Sequence, residues 1–164
     1  MVRHRIPKPK ASAYVTREGY ERLQSELKER WQRRADVTRA LAAAAAEGDR
    51  SENAEYIYRK KELREIDRRI RYLQKRLPEL TVVSDTPADL TRVFFGAWVT
   101  LEDDVGEVRE YRIVGPDELD PDKGYISLDS PLARSLIKRA ICDEVSVGTP
   151  GGTARYCIIA VRYG

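Results

Sequence analysis

The sequence predicts an α+β protein in which an antiparallel two-helix coiled coil precedes a small β-sheet domain. Two long stretches carry apolar residues at intervals of three and four, which is typical of amphipathic helices. The chain after residue 90 instead alternates apolar and polar residues between short turn motifs, which is typical of strands. Residues 1–80 hold 21 basic and 13 acidic side chains, whereas residues 81–164 hold 9 and 14. We therefore expect two modules with different partners.

The composition excludes several classes of function. The chain of 164 residues has only two cysteines, Cys142 and Cys157, and one histidine, His4. This excludes zinc ribbons, CxxC redox sites, His-metal sites and His-based catalytic triads. Eighteen consecutive apolar residues, the minimum for a membrane span, do not occur, and the basic N-terminus is not followed by an apolar stretch. We therefore expect a cytoplasmic protein whose chemistry depends on carboxylates, hydroxyls or a site borrowed from a partner.

The first helix is predicted over residues 18–46. Its seam consists of Tyr20, Leu23, Leu27, Trp31, Leu41 and Ala45, with Arg34 and Thr38 filling two seam positions. Thr16 is the predicted N-cap, and Gly48 is the predicted stop after the alanine run at residues 42–46. The alanines either stiffen the last turns or keep this end of the helix thin.

The second helix is predicted from about residue 51 to residue 77, where Pro78 ends it. Its seam consists of Tyr56, Leu63, Ile66, Ile70, Leu73 and Leu77, interrupted by Arg59. Because only five residues join two helices of similar length, we expect an antiparallel hairpin, in which residues whose numbers add to about 99 lie level. We assign residues 1–80 to this module.

The rest of the chain predicts a linker at residues 81–90 and a second domain at residues 91–164. Strand patterns occur at residues 93–101, 108–114, 125–128, 145–147 and 156–163, separated by turn motifs rich in Gly, Pro and Asp. Ser130 and Pro131 have the N-cap and first-position chemistry of one short helix. The expected architecture is an antiparallel sheet with one helix.

Two acidic residues, Asp49 and Glu52, lie three positions apart in the loop between the helices. One interpretation is a capping box, in which Asp49 caps the second helix and Glu52 occupies its third position. The other is metal chemistry, because carboxylates are the ligands that Mg²⁺ prefers. Two exposed carboxylates bind Mg²⁺ weakly, so this function requires a partner that supplies the remaining ligands and the substrate.

A basic cluster is predicted next to this loop. It comprises Arg33, Arg34, Arg39, Arg59, Lys60, Lys61 and Arg64. These side chains are placed to hold a nucleic-acid backbone while the loop acts on it. The alternative is an ordinary solvated surface whose charge is balanced by Glu55, Glu62 and Glu65.

These motifs together resemble the bacterial GreA/GreB family of transcript cleavage factors. The loop motif GDRSENAEY covers residues 48–56, and RKKELREIDRR covers residues 59–69. SPLAR at residues 130–134, DEV at 143–145 and TPGG at 149–152 follow in the same order as in the family. The Asp-Arg-Ser form of the loop and the second motif resemble the GreB type.

The resemblance implies a coiled coil followed by an FKBP-like domain. Family members dock the second domain at the rim of the secondary channel of RNA polymerase and extend the coiled coil to the active site, where a backtracked RNA 3′ end is cleaved. Asp49 and Glu52 would then help to bind a Mg²⁺ shared with the polymerase, with no cofactor held stably by the chain alone. Asn53 and Tyr56 would neighbour them at the tip.

The remaining roles implied by the resemblance concern RNA guidance and docking. Arg39, Lys60 and Lys61 would guide the extruded RNA, and Asp129, Ser130 and Pro131 lie where the family touches the channel rim. The chain would be a monomeric factor without a complete catalytic site of its own and without a membrane partner.

Three alternatives remain at this stage. The chain could be a regulator that enters the same channel without stimulating cleavage, although two intact acids argue against that. It could be an FKBP-like prolyl isomerase or peptide-binding module, which fold likeness alone does not establish. It could also be a nucleic-acid-binding coiled coil whose acids only cap a helix.

Overall fold

A computed structural model describes residues 7–48 and 53–164. The described chain forms two compact units. One contains Glu18–Leu80, and the other contains the described residues up to Arg17 together with Thr81–Gly164. The predicted division placed all of residues 1–80 in the first module, and the structure differs there because the segment before the first helix pairs with residues that follow the second helix.

The first unit is a helical hairpin of α1 (Arg17–Ala46) and α2 (Ala54–Arg76). Ion pairs between the helices establish the antiparallel arrangement, because Arg69 bonds Glu26, Arg33 bonds Glu62 and Arg34 bonds Asp67. The residue numbers of these pairs add to between 95 and 101, close to the predicted 99. Coiled-coil packing of the two helices stays a prediction.

The apolar seam of the hairpin is narrow. Val37, Ile66 and Ile70 form its buried cluster, with Leu27 and Leu63 packed against them. Val37 therefore takes the position that the sequence analysis gave to Thr38, and Trp31, predicted in the seam, is 46% exposed. Trp31 lies beside Arg34, whose guanidinium carbon is 5.9 Å from its ring centroid and which pairs with Asp67 of the other helix. Neither helix, nor any other in residues 7–48 and 53–164, has the length and apolar character to cross a bilayer.

The second unit contains a five-stranded sheet. Its strands are β3 (Trp98–Asp103), β4 (Val108–Val114), β5 (Tyr125–Ser127), β6 (Glu144–Thr149) and β7 (Gly152–Arg162), in the spatial order β5-β4-β3-β7-β6. All neighbours are antiparallel except β4 and β5, which run parallel. The α+β class is confirmed, but the sheet is mixed and not purely antiparallel. The two 3₁₀ turns Pro116–Glu118 and Pro121–Lys123 carry the chain back so that β5 starts beside β4.

The strand predicted over residues 93–101 begins later than expected. Ala97 donates a backbone hydrogen bond to the carbonyl of Phe94, and Gly96 has a φ of +85°, so a turn precedes β3. Val93 and Ala97 are nevertheless fully buried. The alternation of Val93, Ala97, Val99 and Leu101 in the sequence therefore indicates which side chains are buried, although only Val99 and Leu101 lie in a strand.

The core of this unit lies between one face of the sheet and α3 (Pro131–Leu136). Val99, Leu101, Ile113 and Ile158 contribute from the strands, and Leu136 contributes from the helix. Ser130 accepts a hydrogen bond from the backbone N–H of Ala133 at 3.2 Å, which confirms the predicted cap. Trp98 lies outside this core, with Arg162 4.6 Å from its ring centroid.

A parallel pair of short strands ties the N-terminal segment to this unit. β1 (Tyr14–Thr16) pairs with β2 (Thr81–Val83), which lies in the predicted linker. The buried carboxylate of Glu118 accepts hydrogen bonds from the backbone N–H groups of Thr16 and Gly115 at 3.0 and 2.8 Å and from the Thr16 hydroxyl. These bonds hold the residue that precedes α1.

Candidate functional site: the helical hairpin

The two helices are tied together at the end that carries the acidic loop. Asn53 is the N-cap of α2, because its Oδ1 accepts a hydrogen bond from the backbone N–H of Tyr56 at 3.1 Å. Its Nδ2 donates to the carbonyl of Ala44 on α1 at 2.8 Å. One side chain thus caps one helix and joins it to the other.

The predicted tip acids, Asp49 and Glu52, lie outside the described residues. The cap of α2, which one interpretation assigned to Asp49, is Asn53, so that part of the capping-box prediction is wrong. Helix α2 also begins at Ala54, later than the predicted residue 51. The predicted tip neighbours Asn53 and Tyr56 are both half-buried at the start of α2. In the chain, both residues come directly after the loop.

Most of the predicted basic cluster is charge-compensated. The pairs are Arg33 with Glu62, Arg34 with Asp67, Arg39 with Asp36, and Arg59 with both Glu55 and Glu62. Four of the seven predicted cations are therefore bound to carboxylates of the hairpin itself. The alternative of a balanced surface holds for these four.

The other three predicted cations differ. Lys60, Lys61 and Arg64 are exposed and form no ion pair with any residue in the described part of the chain. The ammonium of Lys60 lies 5.7 Å from the ring centroid of Tyr56, within the range of a cation–π contact. These three side chains remain available to phosphates.

The two sides of the hairpin are unlike in charge. One groove is lined by Arg30, Arg33, Lys61, Glu62 and Glu65, where acids and bases alternate. The groove on the other side is lined by Trp31, Arg34, Arg64, Asp67, Arg68 and Arg71 together with Ile70 and Gln74. Only one carboxylate lies among four arginines there. The predicted cluster draws residues from both sides, so the structure does not bring its seven members onto one surface.

The pKa values of the paired carboxyls report these contacts. Hydrogen bonding from Arg69 lowers the pKa of Glu26 below its ordinary value, and this effect outweighs the opposing effect of burial. For Glu62, burial raises the pKa, but hydrogen bonds and charges from Arg33 and Arg59 outweigh it, so the pKa is lowered overall. Both carboxyls are therefore held ionised, Glu26 chiefly by Arg69 of the opposite helix and Glu62 by Arg33 of the opposite helix together with Arg59 of its own helix.

The predicted docking residues lie where β5 leads into α3. Ser130 caps α3, Pro131 begins it and is exposed, and Asp129 precedes them. Both carboxylate oxygens of Asp129 are engaged by Ser12, through its backbone N–H at 2.8 Å and its hydroxyl. Asp129 therefore holds the N-terminal segment, a role that the sequence analysis did not predict.

Three further residues of interest were missed. Trp31 was assigned to the seam, and Arg68 and Arg71 were not among the predicted site residues. The spacing of Arg64, Arg68 and Arg71 at i, i+4 and i+7 places them on one helix face and could have identified the row. Among the described residues, no group of three or more His, Cys, Asp or Glu side chains is arranged to hold a metal ion.

Comparison with known proteins defines the class. Residues 13–82 match the family description "Transcription elongation factor, N-terminal", and residues 87–163 match "Transcription elongation factor, GreA/GreB, C-term". The helical hairpin and the sheet domain are thus the two parts of a transcription elongation factor.

The chain belongs to the GreA/GreB family of transcription elongation factors. It is 56% identical over 165 residues to transcription elongation factor GreB of Xanthomonas axonopodis pv. citri, covering 99% of this chain and 98% of the relative. It is 55% identical over 164 residues to GreB of Pseudomonas aeruginosa, with the same coverage. The crystal structure of GreA factor homolog 1 (Gfh1) of Thermus thermophilus is 26% identical, with a TM-score of 0.43, covering 92% of this chain and 99% of that chain. The resemblance in sequence to the GreB type is confirmed.

Proposed function

We propose that this protein enters the secondary channel of RNA polymerase and stimulates the polymerase to cleave backtracked RNA, which rescues arrested complexes. The observation that carries the proposal is identity of 55–56% to GreB factors over 99% of the chain. In this account the polymerase is the enzyme, and the chain contributes side chains to its site. The factor acts in the cytoplasm, where transcription takes place.

The dimensions of the hairpin support a role that requires reach. Helix α1 has 30 residues, which corresponds to a length of about 45 Å at about 1.5 Å per residue. Its last turns are alanines, so the end that approaches the acidic loop is thin. A protein with its own complete active site needs no such extension.

Asp49 and Glu52 are the residues that act at the polymerase active site. Their oxygen donors suit Mg²⁺, and two carboxylates leave positions for ligands from the polymerase and for substrate phosphate. When bound, the ion supplies positive charge that stabilises the transferring phosphate. Asn53 fixes the start of α2 and its contact with Ala44, and thereby positions the loop that carries both acids.

Basic side chains near the loop guide the RNA, and the second unit docks the factor. Lys60, Lys61 and Arg64 carry the guidance, because they are exposed and have no acidic partner within the described chain. The segment from Asp129 to Pro131 is the docking site, with Pro131 the exposed member. The paired Arg33, Arg34, Arg39 and Arg59 contribute less, because their charge is already compensated.

The test is whether cleavage requires the polymerase. A radiolabelled transcript in a stalled, backtracked elongation complex with Mg²⁺ is compared with the same RNA free in solution. We expect rapid release of a 3′ fragment only when both polymerase and the factor are present. Cleavage of free RNA by the factor alone would contradict the borrowed site. Binding to the complex without faster cleavage would make the protein a regulator that occupies the channel.

A further inference from the structure

The segment from Pro7 to Ser12, here called the N-terminal arm, is fixed beside the proposed docking segment. Ser12 donates its backbone N–H to one carboxylate oxygen of Asp129 at 2.8 Å and its hydroxyl to the other. One residue further on, the carbonyl of Ala13 accepts a hydrogen bond from the backbone N–H of Thr81 at 2.7 Å. The last residue of the arm is thus attached to the first residue of the docking segment, 117 positions away in the chain.

Prolines make the arm stiff. Its first four residues alternate proline and lysine, as Pro7, Lys8, Pro9 and Lys10. The ring of a proline fixes its φ near about −65°, and the residue before a proline is restricted to extended backbone. At about 3.1 Å per residue, Lys8 is about 12 Å and Lys10 about 6 Å along the chain from Ser12. A stiff arm loses little conformational entropy when it binds a partner.

The charges of Lys8 and Lys10 are not compensated by the chain that the structure describes. Both side chains are exposed, and neither forms an ion pair with any residue of 7–48 or 53–164. Carboxylates are nevertheless plentiful in the same unit, because residues 81–164 hold 14 acidic and 9 basic side chains. The carboxylate that fixes the arm, Asp129, is engaged by Ser12. Two uncompensated ammonium groups in this position favour a partner that brings carboxylates of its own.

An acidic protein surface fits the arm better than a nucleic acid does. A phosphate backbone bound to the arm would approach a unit with an excess of carboxylates, and like charges repel. Lysine is a flexible point charge, which suits single contacts with carboxylates at the polar rim of a protein interface. Because the arm is attached to the docking segment, the polymerase is the protein that would supply these carboxylates.

We propose that the N-terminal arm extends the docking surface, with Lys8 and Lys10 contacting acidic side chains of the polymerase next to the place where the docking segment binds. The inference rests on the proposed function, which gives that segment its partner. Ser12 and Asp129 are positioning residues in this account, because their hydrogen bonds hold the arm in place. Asp129 therefore contributes to docking through the arm.

Titration of the factor against backtracked elongation complexes tests the arm. The variant Lys8→Gln/Lys10→Gln removes two charges that pair with no described residue. In about 50 mM salt, we expect the factor concentration that gives half-maximal cleavage to rise about threefold to fivefold. The cleavage rate at saturation should stay that of the wild type. In about 300 mM salt the difference should fall below about 1.5-fold, because salt screens exposed charges.

The matched control is Arg139→Gln/Arg155→Gln. It removes two exposed charges from the same unit, and neither guanidinium pairs with a described residue. The control should keep the half-maximal concentration of the wild type. An unchanged concentration in the lysine variant would overturn the inference, and so would an equal rise in the control. A loss of cleavage rate at saturation, with the half-maximal concentration unchanged, would place the lysines in the cleavage step and would also overturn it.

Core polymerase without DNA or RNA distinguishes the two kinds of partner. Fluorescence anisotropy of the labelled factor measures its affinity for this polymerase. The lysine variant should again bind about threefold to fivefold more weakly than the wild type, because the carboxylates of the polymerase are still present. Equal affinity here, together with a difference on elongation complexes, would identify nucleic-acid phosphates as the partner and would overturn the assignment to an acidic protein surface.

Variants of Ser12 test the attachment of the arm. Ser12→Ala loses the hydroxyl bond to Asp129 but keeps the backbone bond, so it should weaken binding about twofold, whereas Ser12→Thr keeps a hydroxyl and should bind as the wild type does. In the lysine variant, Ser12→Ala should have no further effect, because Ser12 acts through Lys8 and Lys10. Losses that multiply would overturn the positioning role of Ser12.

The same titrations separate this inference from the proposed function. A wild type that binds and stimulates cleavage, with a lysine variant that behaves identically, would reject the arm and leave the proposed function intact. A wild type that neither binds polymerase nor stimulates cleavage would reject the proposed function itself.

Discussion

At the residue scale, Gly115 lies where the structure leaves no room for a side chain. A Cβ built on it would lie 1.9 Å from the carbonyl oxygen of Tyr14, which belongs to β1. Its N–H also donates to the buried Glu118 carboxylate. The absence of a side chain here lets the N-terminal strand approach the residues that follow β4.

Gly115→Ala should therefore destabilise the second unit by about 2 kcal/mol or more, because backbone must move to admit the methyl group. Urea unfolding followed by tyrosine and tryptophan fluorescence measures the change in the free energy of unfolding. Gly148→Ala in β6 is the matched control, because nothing lies within 4 Å of its built Cβ. Equal stability of the two variants would contradict the close approach of Tyr14.

At the element scale, the ion pairs across the hairpin predict a pH dependence. The folded-state pKa of Glu26 is lowered from an ordinary 4.5, chiefly by the hydrogen bond from Arg69. The pair therefore stabilises the hairpin above the unfolded pKa, and its contribution is lost as the pH falls through the folded pKa. Because these groups are solvent-exposed in part, the contribution is about 0.5 kcal/mol.

Glu26→Gln should lower the free energy of unfolding by that amount at pH 7 and by nothing measurable at pH 2.5. Urea titrations monitored by far-UV circular dichroism at both pH values measure the difference. A deficit that is the same at both pH values would mean that Glu26 contributes through packing and not through its charge.

The exposed Lys60 gives a second prediction at this scale. Lys60→Glu should slow cleavage of deeply backtracked complexes about threefold or more, because it places a repulsive charge beside the RNA path. Binding to polymerase should change little, since the proposed docking segment lies in the other unit. The control is the charge reversal Arg22→Glu, because Arg22 is also exposed but lies near the start of α1, at the end of the hairpin away from the loop. If both reversals have the same effect, Lys60 has only the role of a solvated surface residue.

Helical periodicity predicted most of the elements and a smaller part of the site. The spacing of Ile66, Ile70 and Leu73 predicts the buried face of α2, and the short connection predicts the hairpin. The exact α1 seam was not predictable, because the spacing allows either Val37 or Thr38 at one seam position. Packing against α2 decides which of the two is buried. The pairing of β1 with β2 joins three-residue segments 67 positions apart, which leaves no periodic signal.

The charge state of the basic cluster was also beyond sequence reasoning. Arg33 and Lys61 look alike in the sequence, yet only Arg33 has a carboxylate within reach on the other helix. Which cations remain available depends on how the helices are rotated about their axes. That rotation places Arg33 opposite Glu62 and Arg34 opposite Asp67, on two different sides.

At the scale of the whole molecule, the proposed function assigns a different task to each of the two units. The hairpin carries the exposed Lys60, Lys61 and Arg64 and the acidic loop, and the second unit carries the segment from Asp129 to Pro131. This division predicts that catalytic stimulation and polymerase binding can be lost separately. A chain in which one surface did both would lose them together.

The most direct measurement compares wild type with Asp49→Asn and Glu52→Gln in a backtracked elongation complex, recording the cleavage rate and the affinity for polymerase side by side. We predict that each replacement abolishes the stimulation of cleavage while the affinity stays within about twofold of wild type, because a neutral amide keeps the shape of the loop but loses the charge that a metal requires. Full stimulation by both variants, or a parallel loss of affinity and stimulation, would contradict the account.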